Sequence, residues 1–153
     1  MNKYKKLIST YPELEKLSKE TLDEVFRHRS SPDKKPKSRR GNPILAQIGD
    51  GAILTMERLA HESKFETAAE LHNRVELYKT NRRLAEIGRA MKLEEYITAA
   101  YGVIFNDIVM ATVVEALLGA VVRHSFSKGV SFWRKIRLLD MPSIHDWEIT
   151  ERC

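Results

Sequence analysis

The segment "NDIVMATVVEALLGAVV", residues 106–122, constrains this chain more than any other. As a helix from about 107 to 123 it is apolar nearly all round. Ile108, Val109, Met110, Val113, Val114, Ala116, Leu117, Leu118, Val121 and Val122 leave it little polar surface. A helix without a polar face belongs at the centre of a fold, enclosed by other elements. One carboxylate, Glu115, sits in its middle. An isolated buried charge is prohibitively unfavourable, so Glu115 is expected to be neutralised, paired or bound to a cation. Asp107 has a simpler place. With Asn106 as N-cap it belongs to the first turn, where an acid favours the helix dipole.

Helical spacing recurs through the rest of the chain, and no strand alternation, repeat or low-complexity tract appears. "SKETLDEVFRHR" opens with Ser18 as N-cap and sets Leu22, Val25 and Phe26 on one face. Residues 66–79 place Leu71, Val75 and Tyr78 at helical spacing, and "TNRRLAEIGRAMKL" does the same with Leu84, Ile87 and Met91. A linker is expected around 98–105, and "SKGVSFWRKIRLL" follows the apolar helix. Residues 31–41, "SPDKKPKSRRG", form the one clear loop, with two prolines, a glycine and five basic residues between 33 and 40. The fold class is all-α. Its organisation is a helical extension over 1–17, a domain over 18–140 carrying the basic loop, and a tail over 141–153.

Charge separates along the chain. Residues 1–49 hold 12 Lys/Arg against 6 Asp/Glu, whereas residues 50–153 hold 14 against 15. A basic front on a near-neutral body suits a polyanion partner, and equally a solvated surface. The sole cysteine, Cys153, provides no disulfide framework and no thiolate metal site within one chain. No apolar run approaches the roughly 18 residues of a membrane span. "MNKYKKLIST" lacks the apolar core of a signal peptide, so an intracellular, cytoplasmic or nuclear protein is expected, with an organelle still open. The five histidines show no i, i+4 metal pair, and neither a nucleophile elbow nor a phosphate loop is present.

"NPILAQIGDGAIL", residues 42–54, poses a question. It is amphipathic, with Ile44, Leu45, Ile48, Ala52, Ile53, Met56 and Leu59 on one broad face of a helix running to about Ala60. Yet its single acid, Asp50, stands between Gly49 and Gly51, and each interior glycine costs about 1 kcal/mol relative to alanine. Small residues flanking an acid allow a second helix or a ligand to approach the backbone. Plain packing, with a salt bridge from Asp50 to an arginine, satisfies the same pattern.

Four segments together carry a resemblance. "FRHRS" (26–30), "GNPILAQIGDGAIL" (41–54), "RVELYKTNRRLAEIGRAMKLEEYI" (74–97) and "MATVVEALLGAVV" (110–122) resemble, in order and spacing, the ribonuclease III catalytic domain. The match spans roughly residues 20–125. The Leu-Ala before Gly49-Asp50 is similar to that of small single-domain members found in fungi, which lack a double-stranded-RNA-binding domain. The resemblance implies an all-α, two-fold homodimer that hydrolyses double-stranded or structured RNA with Mg²⁺, Mn²⁺ being possible. No membrane and no small-molecule cofactor is implied.

In that family each subunit binds metal with four acids, two per helix. By the resemblance, Asp50 matches one aspartate of the first helix and Glu115 the glutamate of the last. Ala46 and Thr112 stand where the other two acids belong, and Pro43 replaces a further acid of the signature. Glu57 and Asp107 are seven and eight residues away from the matching acids, about 10–12 Å along their helices, too far to substitute. Mg²⁺ keeps several waters and needs only one or two protein carboxylates beside substrate phosphates. Asp50 and Glu115 are then the expected catalytic and metal-binding pair, Thr112 reaching a metal-bound water. The resemblance puts Gly49 and Gly51 at the dimer interface. Lys34, Lys35, Lys37, Arg39 and Arg40 are the candidate RNA contacts, a solvated loop being the plain alternative. RNA affinity is expected to be modest, drawn from the dimer cleft or a partner. Hydrolysis with a reduced acid set is the leading expectation; a degenerate domain serving as an RNA-binding or ribonucleoprotein scaffold is its rival.

Overall fold

The computed structural model describes residues 2–32 and 42–140. Lys34, Lys35, Lys37, Arg39 and Arg40, and the tail over 141–153, lie outside the described residues. Those described form seven α-helices: α1 (Lys5–Thr10), α2 (Lys19–Val25), α3 (Pro43–His61), α4 (Ala68–Glu76), α5 (Asn81–Ala90), α6 (Asp107–His124) and α7 (Phe126–Ile136). Short 3₁₀ turns cover Pro12–Leu14, Glu62–Lys64 and Leu93–Tyr96. Among the described residues there is no strand, only an isolated parallel bridge between Arg27 and Thr98.

Local chemistry sets the helix starts. The Ser18 hydroxyl accepts from the Thr21 N–H at 3.1 Å, and the Asn106 side chain from the Val109 N–H at 3.0 Å, both at the expected caps. At α4, Thr67 and Glu70 make a reciprocal capping box, which satisfies two end donors at once. Thr80 and Ser125 cap α5 and α7. Pro43 opens α3 in the first turn, where a missing N–H goes unnoticed and the fixed φ is already helical.

α6 is the central helix, packed against α3, α5, α7 and α2. Its residues from Met110 to Val121 are buried apart from the half-buried Thr112 and Glu115. The apolar pattern overstates burial only at the helix ends. Ile108, Ile44 and Leu59, each within two residues of a helix end, are about 60% exposed. Tyr4, Leu7 and Leu14 enter the same core, and the Tyr4 ring stacks on Phe26 with centroids 5.5 Å apart. These three side chains are part of the core that α6 organises.

Two buried polar groups tie the lower half together. Glu57 accepts from the indole N–H of Trp133 at 2.7 Å, from Arg137 at 2.6 and 2.9 Å, and pairs with His61 at 3.1 Å. Trp133 is thus the packing anchor its sequence position suggests. Arg82 and Arg83 read alike in sequence, as helix-surface charges. Arg82 is exposed, but the Arg83 side chain is wholly buried. Its guanidinium donates to the carbonyls of Arg137, Leu139 and Asp140 and to Glu86. Carbonyls past the end of α7 have no helical partners, and a planar fork of donors satisfies several at once.

Candidate active site at the crossing of α3 and α6

Two glycines make the crossing. A Cβ on Gly49 would sit 1.8 Å from the Glu115 carbonyl oxygen, and one on Gly119 would sit 1.9 Å from that of Leu45. Each helix thus presses a glycine onto the other's backbone, a contact no side chain permits. This explains one of the two glycines beside Asp50. The resemblance assigns Gly49 to a subunit interface, but its space is taken by α6 of the same chain. Gly51 differs. It is exposed, and a Cβ there would meet nothing within 4 Å.

The same approach brings the two odd acids together. Glu115 lies on α6 at the point that Gly49 touches, and Asp50 follows Gly49 on α3. Burial first, and then the charge of Asp50, push the Glu115 carboxyl up to about 7, while Lys79 pulls it down. Lys79 completes the cluster. Its ammonium lies 2.9 Å from Asp50, with 19% of the side chain exposed against 40% for Asp50. The expected ion pair of Asp50 exists, but with a lysine from the α4–α5 connection and not with an arginine.

Among the neighbouring positions no further carboxylate joins the pair. Ala46 is buried and carries no ligand atom. Thr112, one turn before Glu115, donates its hydroxyl to the Ile108 carbonyl at 2.8 Å. Asp107 pairs with Arg89 at 2.7 Å, and Glu57 is engaged with Arg137, so neither joins the pair, in keeping with their helix spacing. Towards the N-terminal ends of α3 and α6 lies a cavity of about 420 Å³, lined by Thr112, His28, Arg29, Asn42, Asn106 and Ile108 among others; neither Asp50 nor Glu115 lines it. His28 is held locally, its Nδ1 2.7 Å from the Ser30 hydroxyl.

Lys79 is the residue that sequence reasoning missed. Its one sequence signal is its place directly after Tyr78, at the end of a buried apolar stripe. Nothing in helical spacing links it to a carboxylate 29 positions earlier.

No family model matches the chain, and no curated protein matches it in sequence. Solved structures do match. One is the nuclease domain of ribonuclease III from Campylobacter jejuni, described with structural flexibility in the region involved in its dimer formation. It aligns at a TM-score of 0.79 and 16% identity, over 91% of this chain and 99% of that one. A second structure of that nuclease domain aligns at a TM-score of 0.75 and 18% identity, over 93% and 98% of the two chains. The chain has the ribonuclease III nuclease-domain fold.

That fold raises the question of a divalent metal. Among the described residues, no group of three or more His, Cys, Asp or Glu side chains is arranged to hold one. Asp50 is already ion-paired. Two carboxylates and one ammonium leave a formal charge no more negative than −1, against −4 for a four-acid set. In the absence of substrate phosphates, this donor set does not fit a resident divalent metal.

Proposed function

We propose that this chain is a ribonuclease III-fold subunit that binds double-stranded or structured RNA as a homodimer without hydrolysing it. One observation carries the reading: the remaining acid pair is compensated by Lys79 from within the chain. Metal-assisted hydrolysis needs carboxylates free to hold a divalent ion at the scissile phosphate. Here one ammonium offsets half of the charge of the two carboxylates. The fold, the net charge of +5 and the basic front of the sequence support an RNA partner. Duplex RNA is recognised mainly through phosphates and 2′-hydroxyls, so its affinity falls steeply with salt.

The hydrolytic reading keeps one observation in its favour. Asp50 and Glu115 stand together at the two positions where a nuclease of this fold would retain them. A single experiment separates the readings. A labelled long RNA duplex is incubated with Mg²⁺ or Mn²⁺ and the wild-type protein, Asp50→Asn or Glu115→Gln. The expected result is no cutting, with salt-sensitive binding equal in all three. Duplex cutting by the wild type that both variants lose would overturn the scaffold reading and establish a two-acid nuclease.

A further inference from the structure

We propose that Lys79 is the built-in cation of this site: its ammonium supplies the positive charge that a divalent ion would bring to Asp50 and Glu115, and it excludes such an ion. The inference extends the non-hydrolytic reading, but it concerns the charge of the site itself and is decided without RNA.

Three features argue for it. First, the ammonium lies 2.9 Å from Asp50, within direct contact, so any ion bridging Asp50 and Glu115 would have to displace it or share its place. Second, its stem is largely enclosed, with 19% of the side chain exposed, so the ammonium is not one of many positions sampled by a free surface lysine. Attraction between partly enclosed charges is also screened less by salt. Third, its field reaches Glu115 as well, where it is the favourable charge opposing burial and Asp50. One monovalent group thus serves both carboxylates. Two carboxylates with one ammonium approach neutrality, whereas four carboxylates would need two divalent ions. The loss of acids at Ala46 and Thr112 and the presence of Lys79 are then two halves of one change.

A lysine is suited to this role. The ammonium is a compact point charge with three rotatable donors, close to a hydrated cation in its demands. It cannot, however, activate a water as a metal does, since it offers no coordination site. A cluster built this way keeps its fold-stabilising charge balance without metal-assisted chemistry.

The test is Mn²⁺ binding to the full chain, followed by electron paramagnetic resonance and calorimetry. The wild type and Lys79→Arg, which keeps the charge, are expected to show no saturable Mn²⁺ binding in the low millimolar range. Lys79→Gln is expected to bind one Mn²⁺ per chain at least about tenfold more tightly than the wild type, because a repelling charge has been removed. Adding Asp50→Asn to Lys79→Gln should abolish that gain. Circular dichroism confirms that each variant is folded before titration. Stoichiometric Mn²⁺ binding by the wild type that Asp50→Asn removes would overturn the proposal, as would a folded Lys79→Gln that binds no better than wild type. The wild-type titration decides the matter even if a variant fails to fold. A chain without RNA affinity would fail the functional reading while the Mn²⁺ result still settles the role of Lys79.

Discussion

The backbone of Gly49 lies directly against the carbonyl of Glu115, so close that a methyl group on Gly49 would overlap the oxygen at 1.8 Å. The candidate site depends on that contact, since it sets Asp50 and Glu115 side by side. Gly49→Ala should therefore force α3 and α6 apart, with a loss of about 3 kcal/mol from overpacking. Gly51→Ala faces open space on an exposed helix position and should stabilise by about 0.5–1 kcal/mol. Urea unfolding of the two variants tests the pair. Equal effects would show that the crossing is looser than described.

Glu115 makes folding stability depend on pH. In the unfolded chain its carboxyl titrates near its ordinary 4.5, but in the fold only near 7, raised mainly by burial and then by Asp50. Between those values the native state holds the extra proton. Its contribution is therefore most favourable below about 4.5 and is lost as pH rises towards 7. Glu115→Gln, which mimics the protonated form, should melt higher than the wild type at pH 8, and the gap should narrow steadily towards pH 5. A gap independent of pH would assign the effect to packing.

The Glu57 cluster should rank among the most sensitive points outside the site. Glu57 is 1% exposed and receives donors from Trp133, Arg137 and His61. Removing one partner of a buried ion pair costs about 3–5 kcal/mol, because the other charge is left uncompensated. Glu57→Gln should lie near the lower bound, since Arg137 is partly exposed. Trp133→Phe, which keeps the ion pair but loses the indole hydrogen bond and part of a buried ring, should cost about 2 kcal/mol. Thermal melts of both variants would show whether that order holds.

The proposed homodimer has a direct check. Ile108 is exposed at the N-terminal end of α6 and lines the same cavity as Pro43 and Thr112. A large apolar side chain exposed at the mouth of a cavity is the position chosen to probe a contact face. Gel filtration at micromolar concentration should return a dimer, and Ile108→Asp should return a monomer of unchanged helicity. A monomeric wild type would remove the two-fold assembly from the functional reading.

Much of this protein was legible from its sequence. The all-round apolar character of residues 107–123 placed α6 at the centre, and Ser18 and Asn106 announced helix starts, because these features depend on neighbours three or four positions away. The separations of Glu57 and Asp107 from the acid pair were enough to keep both out of it. Ion pairing and glycine packing were another matter. Lys79 meets Asp50 from 29 positions away, and Arg83 reaches carbonyls more than 50 positions on, while its neighbour Arg82 stays in water. The flanking glycines look equivalent in the chain, yet only Gly49 points at another backbone. Helical periodicity fixes which face a residue occupies. Which distant group meets that face, and hence whether a carboxylate is answered by a metal or by a lysine, is settled only when the helices pack.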